Sequence, residues 1–179
     1  MTKQLDLTMK PTGYSYRVDL NVWAGEYPVW DWDDSIGRQQ IQLFTAFGIN
    51  NFIDLTESGE MPPYAQFLSL SIERHQLPIP NGGTPAAVED VVELFRTIEC
   101  SLLEKPFTKF YIHCLGGVGR TGTIVACYYV YFKQMNAEEA LAKMRHMFSC
   151  HERANWMSAP ETEAQIDFIR TFANTIHNN

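Results

Sequence analysis

The sequence predicts a single α/β domain of three layers, a small central mixed sheet flanked by helices. Three observations carry that prediction. Short apolar runs of strand type alternate with amphipathic helical stripes along the chain, the arrangement that layered α/β folds need. Several helical patterns follow one another toward the C-terminal end, enough to cover one face of a small sheet. The 179 residues, 45% apolar and 20% charged, suit one globular domain, and no repeat, low-complexity tract or linker divides them. The domain is therefore expected over residues 1–179, with residues 1–16 as a flexible N-terminal segment.

The elements follow in order. Residues 17–24 contain Val-Asp-Leu-Asn-Val-Trp and read as one or two short strands, ended by Gly25-Glu26-Tyr27-Pro28. Asp33, Asp34 and Ser35 offer a helix start, Ile36, Leu43, Phe44 and Phe47 form its apolar stripe, and Gly48 stops it. Residues 51–55 are a compact apolar strand, and Pro62-Pro63 opens a brief helical turn through Leu68. Residues 71–77 alternate as a strand up to Pro78. The stretch from Pro78 to Pro85 is the strongest loop signal, after which Thr84 caps a helix with Pro85 in its first position, running to about Leu103. Phe110-Tyr111-Ile112 is a buried strand, and a helix follows from near Arg120 to Phe132. Asn136 with Glu139 forms a capping box for the next helix, and Ser158 with Glu161 another for the last. Trp23 and Tyr27, with Trp30 and Trp32, read mainly as a packing flap.

Charge narrows the partners. Fourteen basic against twenty-one acidic residues leave a net charge of −7, which disfavours nucleic acid and anionic membranes. No run of apolar residues is long enough for a membrane span. The N-terminal segment lacks the apolar centre of a signal peptide. Four scattered cysteines, none in CxxC spacing, give no metal site, and a cytoplasmic protein with free thiols and no cofactor is expected. Of these, Cys100, Cys127 and Cys150 fall in helical patterns and read as core thiols.

Cys114 differs. The run His113-Cys114-Leu115-Gly116-Gly117-Val118-Gly119-Arg120-Thr121-Gly122 lies between a strand and a helix. Its glycines let the backbone turn tightly and aim successive N–H groups inward, a nest that binds a tetrahedral dianion at a helix N-terminus. Leu115, Gly116, Gly117, Val118 and Gly119 would supply those amides, and Arg120 a planar fork for two phosphate oxygens. The same positive field favours the Cys114 thiolate, a nucleophile that can attack phosphorus directly. Thr121 can donate to the sulfur as it leaves, and His113 orders the loop rather than acting as a base.

Cys, five residues, then Arg-Thr-Gly, with His in front, resembles the signature of the cysteine-dependent protein tyrosine phosphatases. Ala24-Gly25-Glu26-Tyr27-Pro28, the strand 51–56, the segment 77–85 and Ser158-Ala159-Pro160-Glu161-Thr162-Glu163-Ala164-Gln165 resemble segments of the dual-specificity branch, so the likeness covers roughly residues 20–172. It implies a phosphatase-type phosphate loop between strand and helix, a phosphocysteine intermediate, no metal, and Gln165 as the residue that positions water. It also implies an aspartate as general acid where this chain has Asn81, whose amide neither gives nor takes a proton.

Three readings of Asn81 stay open. The enzyme is slow and favours good leaving groups; or another carboxylate substitutes, with Asp54, Glu57 and Glu60 nearest in sequence; or the protein is a pseudophosphatase module that binds phosphate with little turnover. Asp54 also reads as a loop-ordering carboxylate, and the two glutamates as a solvated turn. The loop carries no Lys, which tilts the expected substrate from phosphoinositides toward a phosphorylated protein or small phosphomonoester.

Overall fold

A computed structural model describes residues 9–178. Five strands form one sheet: β1 (Ser15–Arg17), β2 (Val22–Gly25), β3 (Asn51–Asp54), β4 (Glu73–Gln76) and β5 (Phe110–His113), in the order β1-β2-β5-β3-β4. β1 runs antiparallel to β2, and every other pair is parallel, so the sheet is mixed as expected. The helices are α1 (Asp34–Phe47), α2 (Val88–Glu104), α3 (Gly119–Lys133), α4 (Ala137–Phe148) and α5 (Glu163–His177).

The period-two alternation of the central strands divides the interior into two cores. Val22, Ala24, Ile53, Phe110 and Ile112 pack with residues of α2 to α5. Trp23, Phe52 and Tyr111 point the other way and pack with Ile41 and Phe44 of α1, together with Tyr27 and Tyr64. The layers are thus unequal, four helices on one face and one on the other. α3 is the central pillar of the thicker layer: its residues 119–130 are all buried. A helix buried on every side is what a position surrounded by a sheet and three helices produces, and its buried polar residues, Arg120, Thr121 and Thr123, fall in its first turns.

Local signals account for most boundaries. Asp33 caps α1 by accepting from the Ser35 and Ile36 amides, and Gly48 ends it at φ 96°, a left-handed conformation that glycine adopts without strain. Asn136 and Glu139 close the expected capping box on α4. Two starts differ. α2 begins at Val88, where the Asp90 carboxylate accepts from the Ala87 amide, instead of at Thr84-Pro85. α5 is capped by Thr162 instead of Ser158: the Thr162 hydroxyl accepts from the Gln165 amide, while the Gln165 side-chain oxygen accepts from the Glu161 and Thr162 amides.

The N-terminal expectation is also corrected in part. Residues 1–8 lie outside the described residues, but Ser15 and Tyr16 are buried members of β1 rather than part of a flexible segment. The Tyr16 ring meets Phe148 edge-on at 5.7 Å, and the Ser15 hydroxyl donates to the Thr12 carbonyl at 2.8 Å. Among the other cysteines, Cys127 is core, Cys150 is half-buried and Cys100 is exposed, so the helical pattern misplaces Cys100. Among the described residues no helix is long and apolar enough to cross a membrane.

Candidate active site

The loop from Cys114 to Val118 joins the carboxyl end of β5 to the first turn of α3, where sheets of this kind hold ligands. Gly117 has φ 72°, and a Cβ there would run into the backbone of Gly25 and Glu26. The Tyr27 amide donates to the Leu115 carbonyl at 3.0 Å. The segment after β2 therefore serves as the back wall of the loop and fixes its curvature. At the other end, a Cβ on Gly119 would strike the Glu161 carboxylate and the Gln165 side-chain amide. Glycine at 119 thus lets the loop before α5 approach the start of α3.

Cys114 is 3% exposed and sits in the floor of a pocket of about 230 Å³ with Leu115, Gly116, Val118 and Arg120. Asn81 and Glu161 form walls, and Trp30, Arg153 and Met157 form the lip. Of the residues expected to supply amides, Leu115, Gly116 and Val118 line this space, while Gly117 and Gly119 are buried.

Arg120 is 2% exposed, and its donors can be counted. Nη1 donates to Glu60 Oε2 at 2.8 Å and to the Ile79 carbonyl at 3.0 Å, and Nη2 donates to Glu60 Oε1 at 2.5 Å. A guanidinium has five N–H groups. The two that remain, on Nε and Nη2, lie side by side on one edge and form the fork that suits two oxygens of a phosphate. Glu60, expected in a solvated turn, instead clamps the opposite edge of Arg120. The hydrogen bonds from Arg120 hold its carboxyl below the usual range. Glu57 is exposed, as a solvated turn predicts.

His113 sits behind the nucleophile, fully buried. Its Nε2 pairs with the Tyr64 hydroxyl at 2.8 Å, and its Nδ1 lies 3.8 Å from Asp54. Burial lowers its pKa to about 4, so the ring is neutral at physiological pH and brings no charge to the loop. Asp54 stands opposite His113 in the β3–β5 register and is 0% exposed. Oδ1 accepts from the Thr56 amide and hydroxyl, and Oδ2 accepts from Arg74 Nε and Nη2 at 3.1 and 2.7 Å. Burial pushes its carboxyl up, but the hydrogen bonds from Thr56 and Arg74 outweigh it and hold it below the usual range. Both Asp54 oxygens are thus occupied, and Asp54 is not among the residues that line the pocket of Cys114.

The other expected residues fall as follows. Thr121 is buried with its hydroxyl unpartnered. Asn81 is exposed on the pocket wall, where no carboxylate accompanies it on its own loop. Gln165 is buried next to Gly119, and its amide nitrogen donates to the Gly83 carbonyl at 3.1 Å, tying the loop before α5 to the loop that bears Asn81.

At the lip, Arg153 pairs with Glu26 at 3.3 Å and places its guanidinium over the Trp30 ring at 5.8 Å. Burial raises the Glu26 carboxyl to about 7, with Arg153 opposing. Trp23 and Tyr27 are core, as the packing flap predicts, but Trp30 is 42% exposed and belongs to the pocket.

Sequence reasoning missed two of these roles. Glu60 as the clamp on Arg120 leaves no local signal, since the two are sixty residues apart. Glu161 was taken up by the wrong capping box. The competing pattern Thr162-Glu163-Ala164-Gln165 was available in the sequence and would have released Glu161 to the pocket.

Comparison with known proteins finds phosphatase relatives by sequence and by fold. The protein 067L of Invertebrate iridescent virus 3, named as a candidate tyrosine phosphatase, is 28% identical over 161 residues, covering 84% of this chain and 61% of the relative. Dual specificity protein phosphatase CDC14B of Mus musculus is 35% identical over 80 residues, 45% of this chain and 15% of that protein. The chain thus spans less than two thirds of the length of the curated relatives it matches. Among solved structures, a mutant form of Tk-PTP superimposes with a TM-score of 0.71 at 25% identity, covering 92% of this chain and 97% of that one. Residues 33–172 match the family model described as PTP-SAK, Swiss Army Knife protein, DSP-PTPase phosphatase domain. With that match spanning α1 to α5, through the loop around Cys114, the chain belongs to the dual-specificity branch of the cysteine-dependent tyrosine phosphatases.

Proposed function

We propose that this chain hydrolyses phosphomonoesters, aryl esters such as phosphotyrosine foremost, through a phosphocysteine intermediate on Cys114. The observation that carries the reading is the Cys114 sulfur beside Arg120 on one pocket floor at the N-terminus of α3, with the Nε/Nη2 edge of Arg120 left untaken by Glu60 and Ile79. A phosphate dianion held there is bound by loop amides, by the helix end and by a guanidinium whose other edge is already fixed. The Cys114 thiolate then attacks phosphorus, forming the S–P bond as the P–O bond to the leaving group breaks. Water attacks next, the S–P bond breaks, and the Thr121 hydroxyl, unpartnered in the resting site, stabilises the departing sulfur.

The lip favours aryl substrates. Trp30 and Met157 give an apolar collar around a narrow floor, and the loop contributes no lysine for additional phosphates. A phosphorylated protein is therefore the favoured partner, ahead of a phosphoinositide. A nucleophilic thiol needs reducing surroundings, which supports a cytoplasmic setting, and the exposed free Cys100 agrees.

One observation favours a second reading, a phosphate-recognising module with little turnover: the wall position resembling the family's acid is Asn81. Hydrolysis of p-nitrophenyl phosphate separates the two. The enzyme reading expects vanadate-sensitive turnover, unaffected by EDTA and abolished in Cys114→Ser. Turnover retained in Cys114→Ser overturns the mechanism, and phosphopeptide binding without any turnover favours the module.

A further inference from the structure

The pocket holds one acidic side chain among its described lining residues, Glu161. Its neighbours make it more than a surface glutamate. Gln165 accepts from its amide and fixes its backbone just before the start of α5. Its carboxylate lies against Gly119, where an added Cβ would push it aside, and Gly119 is the residue that precedes Arg120. The same Gln165 donates to the Gly83 carbonyl, which holds the Asn81 loop and the Glu161 loop to each other across the pocket mouth. The remaining carboxylates near the loop are engaged elsewhere: Asp54 is paired through both oxygens, Glu60 clamps Arg120, and Glu26 pairs with Arg153 and is not among the residues that line the pocket.

We infer that Glu161 is the acid–base catalyst of this site, taking the part that Asn81 cannot. The inference rests on the phosphatase reading above. A phosphate dianion bound next to a carboxylate sets two like charges together, and a proton shared between them relieves the repulsion. In the complex that shared proton resides on the Glu161 carboxyl. As the Cys114 sulfur bonds to phosphorus and the P–O bond breaks, the proton passes from the Glu161 carboxyl to the leaving oxygen, and the alcohol or phenol departs neutral. The resulting carboxylate then takes a proton from the incoming water as its oxygen bonds to phosphorus and the S–P bond breaks. Phosphate leaves, and Glu161 is protonated again for the next cycle.

The test compares leaving groups. Phenyl phosphate needs its leaving oxygen protonated, whereas p-nitrophenyl phosphate departs readily as the anion. Proton transfer from a positioned side chain typically contributes at least about 100-fold. Glu161→Gln is expected to lower kcat on phenyl phosphate by about that factor, with a much smaller loss on p-nitrophenyl phosphate. Glu161→Asp keeps part of the activity on phenyl phosphate, and Asn81→Asp in the Glu161→Gln background restores it. Thermal melts of all variants verify folding. Equal losses on both substrates, or no loss on either, overturn the inference while leaving the nucleophile intact, provided Cys114→Ser is inactive. A wild-type protein inert on both substrates overturns the phosphatase reading itself, and the inference with it.

Discussion

Glu60 offers the sharpest quantitative prediction. Arg120 is 2% exposed and the Glu60 side chain 18%, so their two hydrogen bonds are largely shielded from water. Glu60→Gln keeps one acceptor oxygen for Nη1 but turns an amide N–H₂ toward Nη2, so one charge-assisted bond is lost. Such a bond contributes about 1.5–3 kcal/mol, and the partial exposure of Glu60 trims the expected loss to about 1–2 kcal/mol. If that loss falls on the orientation of the Arg120 fork, kcat/KM drops by about 5- to 30-fold, since 1.36 kcal/mol is a factor of ten. Inhibition by vanadate, which reads the same fork, weakens in parallel. The melting temperature falls by about 2–8 °C for a domain of this size. Steady-state hydrolysis of p-nitrophenyl phosphate, a vanadate titration and a thermal melt measure all three. A lowered melting temperature with kcat/KM and vanadate affinity unchanged would refute the reasoning, because it makes the clamp structural and not an orienting device.

Three further predictions concern the support of the site. Gly117→Ala puts a Cβ into the Gly25–Glu26 backbone at φ 72°, so the loop must move: hydrolysis is expected to fall by at least about 10-fold while circular dichroism still reports a folded protein, and full activity would contradict the wall described for Gly25 to Tyr27. Asp54→Asn leaves the half-buried Arg74 without its anion and is expected to cost about 2–3 kcal/mol of stability in denaturant melts; unchanged stability with a lost acidic limb in the pH–rate profile would return Asp54 to the role of acid. Burial raises the Glu26 carboxyl from its ordinary 4.5 to about 7, so the folded state holds this proton longer than the unfolded chain and its contribution to stability declines as pH rises from about 4.5 to 7. His113 and His151, both lowered to about 4 by burial, act in the opposite sense: their contribution is lost as pH falls from about 6.5 toward 4. Glu26→Gln therefore makes stability fall more steeply on the acid side and raises it above pH 7 relative to wild type, and parallel stability curves for the two proteins would count against the buried carboxyl.

Where local chemistry decides an element, the sequence is legible. Asp33 and Gly48 bracket α1 as read, the strands around residues 52 and 111 stand where the apolar runs are, and Cys114 and Arg120 meet on one pocket floor. The run from His113 to Gly122 is legible because a single turn contains all the groups it needs. What stays hidden depends on distant contacts. Glu60 meets Arg120, and Arg153 meets Glu26, only after the sheet has brought separate loops together. Asp54 could be named as a carboxylate near the site, but its neutralisation by Arg74 depends on the β3–β4 register. The α5 start was misread because two overlapping motifs satisfy the same capping rule, and the choice falls to the one whose Gln165 satisfies two amides.

The central claim is a covalent bond between Cys114 and the substrate's phosphorus. Rapid acid quench during turnover of p-nitrophenyl phosphate, followed by peptide mass spectrometry, tests it most directly. One phosphoryl group on the peptide containing Cys114, absent in Cys114→Ser, is the predicted result. Sustained turnover with that peptide unmodified, or with the phosphoryl group on another residue, contradicts the account.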